Sequence, residues 1–183
     1  MRGFVTRKGK AWYVVTEMPR DPISGTRRKK WHSGFPTKRE AEAGLVDIMG
    51  RLQQGTYVEV SKKTLGEFLR DWLKVIKPTV RESTWSSYEA ELDKHVLPRL
   101  GTTRLQAIGP GELNALYAEL LASGRRDGTG GLSLRTVRYL HSILRHALDS
   151  AVRWNLLARN PASVADPPRS ATRRTEMRTW SAD

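Results

Sequence analysis

The run Arg27-Arg28-Lys29-Lys30 lies inside a stretch of strand formers, between Trp12 and Trp31, and just ahead of a capped helix. A block of cations at a chain end is ordinarily a solvated tail. A block inside a β-ribbon is different, because the ladder holds its charges in fixed register, and DNA phosphates are the commonest reason to hold cations that way. Strand alternation puts Arg28, Lys30 and His32 on one side and Arg27, Lys29 and Trp31 on the other. The sequence leaves open which side faces outward.

The segment around the run reads as β-β-β-α over residues 1–57. Gly3 to Thr6 forms a short strand and Gly9-Lys10 a turn. Trp12 to Thr16 is rich in strand formers, Pro19 to Gly25 is a hairpin loop, and Thr26 to Ser33 is the third strand. Thr37 and Glu40 make a capping box for a helix whose apolar stripe is Ala41, Leu45, Ile48 and Leu52, with Gly55 as its stop. One helix covers only one face of such a sheet, so the other face meets solvent or a partner. Trp12 and Trp31 are candidates for core under the helix. An exposed cationic and aromatic ribbon suits the major groove of duplex DNA.

Residues 64–160 read as all-α. Thr64 and Glu67 form a second capping box, opening a helix with Leu65, Phe68, Leu69, Trp72, Leu73 and Ile76 inside, closed by Pro78. A second helix spans about Ser83 to Leu97, with Trp85, Tyr88, Leu92 and Val96 buried and Thr84, Ser87, Glu91 and Lys94 opposite; Pro98 and Gly101 end it. Gly109-Pro110 opens a third, with Leu113, Leu116, Tyr117, Leu120 and Leu121 inward, and Gly124 stops it. Ser133 caps a fourth that runs to about Trp154. On it Val137, Leu140, Leu144, Ala147 and Ala151 form a core stripe; Arg135, Arg138, Ser142, Arg145 and Asp149 form a second stripe. Arginines suit base and phosphate recognition better than lysines do, and these begin at a helix N-terminus.

The first segment resembles the arm-binding domain of phage-type tyrosine recombinases (integrases). The resemblance rests on Gly9-x-x-Trp12-Tyr13-x-Val15, on Gly25-x-Arg27-Arg28, and on Gly34-Phe35-Pro36-Thr37-Lys38-Arg39-Glu40-Ala41. The second resembles the core-binding, SAM-like helical domain of the same family. It does so through Thr84-x-x-x-Tyr88, His95-x-x-Pro98-x-Leu100-Gly101, Leu105-x-x-Ile108, Leu132-Ser133-x-x-Thr136, Ala147-x-x-x-Ala151 and Asn160-Pro161. The fold class expected is thus α+β plus all-α: a small three-stranded β-sheet with one helix, followed by a four-helix SAM-like bundle. The domain reading is 1–57 arm-type DNA-binding, 58–63 coupler, 64–160 core-type DNA-binding, and 161–183 linker.

In that family a further C-terminal domain cleaves DNA with a tyrosine nucleophile set among arginines, a lysine and histidines. No such constellation is visible here. His141 and Arg145 are spaced as an ordinary i,i+4 helix pair, and His141 and His146 point to different faces, which argues against a metal site. The stretch Thr179-Trp180-Ser181-Ala182-Asp183 resembles the start of the family's catalytic domain, with Ser181 as N-cap. The expectation is a non-enzymatic portion of a recombinase, ending at the border of the cleaving domain.

The composition agrees. The 32 Lys and Arg outnumber the 19 Asp and Glu, a net charge of +13 whose excess is spread over both segments. Zero cysteines exclude disulfides and thiolate metal sites and fit a reducing cytoplasm, and no apolar run approaches a membrane span. No cofactor is expected. The partners expected are double-stranded DNA, other recombinase protomers, and excision and DNA-bending factors. Candidate arm-DNA contacts are Arg7, Lys8, Lys10, Arg27, Arg28, Lys29, Lys30 and His32; candidate core-DNA contacts are Thr84, Ser87, Arg135, Thr136, Arg138 and Tyr139. Two rivals remain on sequence alone: a dimeric DNA-binding transcription regulator, and a protein-binding adaptor whose cations only solubilise it.

Overall fold

The computed structural model describes residues 2–17, 29–125 and 130–169. The chain divides into two compact units, residues 1–58 and 59–183.

The first unit is an antiparallel sheet, β1 (Gly3–Lys8), β2 (Ala11–Glu17) and β3 (Lys29–Phe35) in that order, followed by α1 (Lys38–Gln53). Gly9 takes φ 63° in the turn between β1 and β2. The expected hairpin loop of residues 19–25, with Arg27 and Arg28, lies outside the described residues. Cross-strand pairing sorts the side chains. Gly3, Val5, Val14, Thr16, Lys30 and His32 share one face, and Phe4, Thr6, Tyr13, Val15, Lys29 and Trp31 share the other. The first set lies under α1, because a Cβ at Gly3 would run into Leu45 and Met49 of that helix.

The pairing of β2 with β3 shifts between Trp12 and Val14, so that Ser33 and Gly34 bulge, with Gly34 at φ 107°. Only glycine takes that backbone without strain. The bulge returns Phe35 to the helix side, where its ring fills the space a side chain at Gly44 would need. This is the physical content of the Gly34-Phe35 pair. Thr37 caps α1 by accepting the Glu40 N–H at 3.3 Å, half of the capping box expected there.

The second unit holds α2 (Leu65–Ile76), α3 (Glu82–Glu91), α4 (Leu97–Leu100), α5 (Pro110–Ser123) and α6 (Leu134–Arg153). Thr64 and Glu67 complete their capping box at the start of α2. Leu65, Phe68, Leu69, Trp72, Leu92, Leu113, Leu120, Val137, Leu140, Leu144 and Leu148 are at most 1% exposed and form one core. Each such side chain stabilises the fold by about 1.5–3 kcal/mol relative to exposure. Gly66 is required by a close approach: its N–H donates to the Gly101 carbonyl at 2.9 Å, and a Cβ there would meet that same oxygen.

Two expectations need correction. Pro98 does not end the second helix. A π turn over Leu92–Val96, in which the Leu97 N–H reaches back to the Leu92 carbonyl, joins α3 to α4. The turn releases the ladder where Pro98 has no N–H to give, so Pro98 falls in the first turn of α4 and the chain stays helical to Leu100. Nor does a linker begin at residue 161. Pro161–Ser163 is a 3-10 turn, and Pro161, Ala162 and Ala165 are buried on the helical core. Asn160 holds this strap. Its Nδ2 donates to the Arg145 carbonyl at 2.9 Å and to the Asp149 carboxylate at 2.6 Å, and its Oδ1 accepts the Ala162 N–H at 2.8 Å.

Candidate nucleic-acid interface

On the sheet, the side away from α1 carries an aromatic and cationic surface. Trp31 is 53% and Phe4 47% exposed. The Tyr13 ring meets Trp31 edge to face at 6.0 Å, and Lys8 and Lys29 are exposed on the same side. Val15, directly paired with Phe4 and Trp31, is buried between them, which fixes the rings against a rigid floor. Lys10 is exposed in the β1–β2 turn, and Arg7 is exposed near the end of β1.

Lys30 and His32 point the other way. The His32 Nε2 and the buried Thr16 Oγ1 are hydrogen-bonded at 3.0 Å, the His32 ring stands edge-on to Tyr57, and the Lys30 ammonium lies 5.6 Å from the Tyr57 ring centre. Both side chains are half-buried on the helix side. Their place among the arm-DNA candidates is therefore corrected: they brace the sheet from within, while Lys29 and Trp31 look outward. Trp12 is half-buried on the helix side, opposite Phe35, and Trp31 is not core. Phe4 and Tyr13 were missed from the sequence. The signal that finds them is their strand parity with Trp31, which needs the pairing register.

On the helical unit, α3 and α6 are joined at the surface by a hydrogen bond of 3.1 Å between the hydroxyls of Ser87 and Tyr139. A ladder of rings fixes this point from the core outward. Buried Trp72 donates its Nε1–H to Ser150 at 3.1 Å and stacks on Tyr88 with ring centres 6.0 Å apart; Tyr88 in turn meets the Tyr139 ring at 6.2 Å. Burial and the neighbouring Tyr139 push the Tyr88 phenol above its ordinary range, so it stays protonated.

Arg135 and Arg138 flank Tyr139 on α6, both exposed, and neither has an ion-pair partner among the described residues. Two cations of this unit are by contrast paired in place: Lys63 with Asp71 at 2.7 Å, and Arg99 with Glu119 at 2.6 Å. Thr84 is half-buried one turn before Ser87. Thr136 is half-buried as well, and its hydroxyl is bound to the Ser133 cap at 2.9 Å, so it serves the helix N-terminus first. Arg81, exposed at the start of α3, joins the cations of this unit and was not singled out from the sequence.

Fold and surface together define a two-part DNA-binding module of the integrase class. Residues 4–50 match the arm DNA-binding domain model, and residues 64–121 match that of the phage integrase N-terminal SAM-like domain. The chain is 41% identical to the phage integrase SAM-like domain of Moorella thermoacetica, over 62% of this chain and 92% of that one, with a TM-score of 0.50. It is 26% identical over 160 residues to a XerC-like tyrosine recombinase of Caldanaerobacter subterraneus, a match over 86% of this chain that spans 39% of that relative. A lambda integrase dimer bound to a core site shares the fold at 14% identity and a TM-score of 0.50, over 91% of this chain and 45% of that one. The chain belongs to the integrase family of tyrosine recombinases and carries its arm DNA-binding and SAM-like N-terminal domains.

Among the described residues no helix is long and apolar enough to cross a membrane, and no group of three or more His, Asp or Glu is placed to hold a metal ion.

Proposed function

We propose that this chain binds two kinds of duplex site within a site-specific tyrosine recombinase. The first unit lays the open face of its sheet in the major groove of an arm-type site. Lys8, Lys10 and Lys29 engage phosphates while Phe4, Tyr13 and Trp31 pack in the groove; Arg27 and Arg28 belong to the same contact set, and Arg7, whose strand position is on the helix side opposite Trp12, does not. The second unit sets α3 and α6 on a core-type site, with Thr84, Ser87 and Tyr139 at the base edges and Arg135 and Arg138 on phosphate or guanine. The observation that carries this reading is the pair of exposed arginines, Arg135 and Arg138, on the same helix as the Tyr139 that bonds Ser87 and without an ion-pair partner among the described residues.

The role is positioning. The two units fix register on DNA so that the tyrosine of a separate cleaving domain meets its scissile phosphate. Integrases crystallised as a dimer on a core site and as a tetramer on a Holliday junction support DNA and further protomers as partners. Excision and DNA-bending factors belong to the same cytoplasmic assembly. Binding of the whole chain to duplexes selected from a random pool tests the reading. Two unrelated motifs are expected; a single palindrome would favour a dimeric regulator, and no enrichment a protein-binding adaptor.

A further inference from the structure

Lys77 closes α2, and its N–H donates to the Leu73 carbonyl. The same carbonyl accepts the Nε1–H of Trp85, on α3, at 2.9 Å. One oxygen thus anchors the lysine backbone and the tryptophan ring together, with both its lone pairs in use. The lysine side chain folds back over that ring, and its ammonium lies 4.2 Å from the ring centre. Pro78 fixes the next backbone angle, and the Thr79 hydroxyl donates to the Ile76 carbonyl at 2.8 Å, so the turn after Lys77 is held as well.

The ammonium has no ion-pair partner among the described residues. Glu82 and Glu89 of α3, which flank Trp85 in sequence, make no ion pair there either. An ammonium has three N–H donors, and a ring face meets it from one side only. Lys77 is exposed, so its outer side is open to an anion. A lysine ordinarily gives up rotamer freedom when it grips a ligand. Here the Trp85 ring has already restricted it, which lowers the cost of binding.

Trp85 and Ser87 are two residues apart on α3, about 200° of helix, so they project to nearly opposite sides. Trp85 ties α3 to α2, and Ser87 ties it to Tyr139 on α6. Lys77 therefore stands on one flank of α3, while the helix that carries Arg135 and Arg138 lies against the other. A helix with its side chains is about 10–12 Å across, and the major groove is about 12 Å wide. An α3 seated in that groove has one phosphate backbone along each flank.

We propose that Lys77 grips a phosphate of the core-type duplex, on the strand across the groove from the backbone nearest α6, and that Trp85 is the positioning residue that presents it. This rests on the core-site reading above and adds a second flank to it.

The test uses the whole chain and a duplex carrying the motif assigned to the second unit. Lys77→Ala should weaken binding about three- to tenfold and flatten the dependence of log K on log salt by about 0.9, with Tm within a few degrees. Lys77→Arg should restore the slope. Single methylphosphonates, which neutralise one phosphate at a time, should weaken the wild type at positions on both strands. Lys77→Ala should become indifferent at one or two positions on one strand, where Arg135→Ala/Arg138→Ala remains sensitive. Any position that this double variant ceases to feel should lie on the other strand. Trp85→Leu should lower affinity in the wild type but not in Lys77→Ala, and Trp85→Phe, which keeps a ring, should recover part of the loss; equal losses in both backgrounds remove Trp85 from the proposal. A Lys77→Ala slope equal to wild type overturns the inference and leaves the core-site reading standing. So does a flattened slope with every methylphosphonate still felt, or a lost phosphate on the strand that the arginines use. A wild-type chain that selects no motif through its second unit overturns the core-site reading itself.

Discussion

The hydroxyls of Ser87 on α3 and Tyr139 on α6 meet at 3.1 Å, at the outer end of a ring ladder that begins at buried Trp72. A phenol held this way has its rotamer chosen before any ligand arrives, and preorganisation of this kind lowers the cost of binding. Tyr139→Phe keeps the ring and deletes the hydroxyl bridge. Affinity for the core motif should fall about three- to tenfold with little change in Tm, as measured by fluorescence anisotropy beside thermal melts. A loss of stability with unchanged affinity would make the bridge purely structural.

Arg138 has no carboxylate to release among the described residues, so its whole charge is available to DNA. Arg138→Ala should flatten the dependence of log K on log salt by about 0.9 if the contact is to phosphate. If it is to guanine, the substitution should relax preference at one base pair at a cost of about 1–3 kcal/mol. Arg99→Ala, which removes a cation already paired with Glu119, should do neither. A titration series across salt concentration reads all of these.

The two faces of β3 should separate in a mutational comparison. Trp31→Ala and Lys29→Ala remove exposed groups and should weaken arm-motif binding while leaving Tm within a few degrees. His32→Ala leaves the buried Thr16 hydroxyl without its partner, at a cost of about 1–3 kcal/mol in stability, with an unchanged salt slope. If instead His32→Ala altered the salt slope and Trp31→Ala had no effect on binding, the outward face would be assigned wrongly.

Asn160 makes three hydrogen bonds while nearly buried. Asn160→Ala would strand the Asp149 carboxylate and the Ala162 N–H, and should cost about 1–3 kcal/mol in urea unfolding, with faster proteolysis after residue 160. Unchanged stability would show that the strap over α5 and α6 is held by Pro161, Ala162 and Ala165 alone.

Stability should also depend on pH in a way that names its groups. The Tyr117 hydroxyl is bonded to His141 Nδ1 at 3.0 Å, and burial pushes the phenol up and the imidazole down. Burial lowers His95 as well, against the opposing pull of Glu91. For the histidines the unfolded chain binds more protons below its ordinary value of 6.5, so stability falls as pH drops through that point. For Tyr117 the unfolded phenol ionises first, so stability falls as pH rises past 10.0. Tyr117→Phe should remove much of the alkaline fall, and His141→Gln part of the acid one, in urea unfolding from pH 5 to 11. An alkaline limb that survives Tyr117→Phe unaltered would contradict the assignment.

Much of this architecture is legible in the residues, for local reasons. The stripe Val137, Leu140, Leu144, Ala147 and Ala151 is buried as its spacing requires, and the Thr64–Glu67 box forms as read. What escapes the sequence is decided across the chain. The outward side of β3 depends on the pairing register and on where α1 lies, so Lys30 and His32 could not be told from Lys29 and Trp31 by alternation alone. A proline is a helix stop by its own chemistry, but the π turn that accommodates Pro98 is a property of the preceding five residues packed on a core. Similarly, Pro161 to Ala165 carries no periodicity and yet is buried, because its partners are on α6 and α5. The seat of the Lys77 ammonium over Trp85 has no sequence signature at all.

The central claim is that two surfaces of one chain read two different duplex sites. The most direct measurement is selection of bound DNA from a random pool by the wild-type chain, by Lys29→Ala/Trp31→Ala, and by Arg135→Ala/Arg138→Ala. The account predicts two unrelated motifs from the wild type, with the first double variant losing one and the second double variant losing the other. A single motif, weakened alike by both double variants, would contradict it.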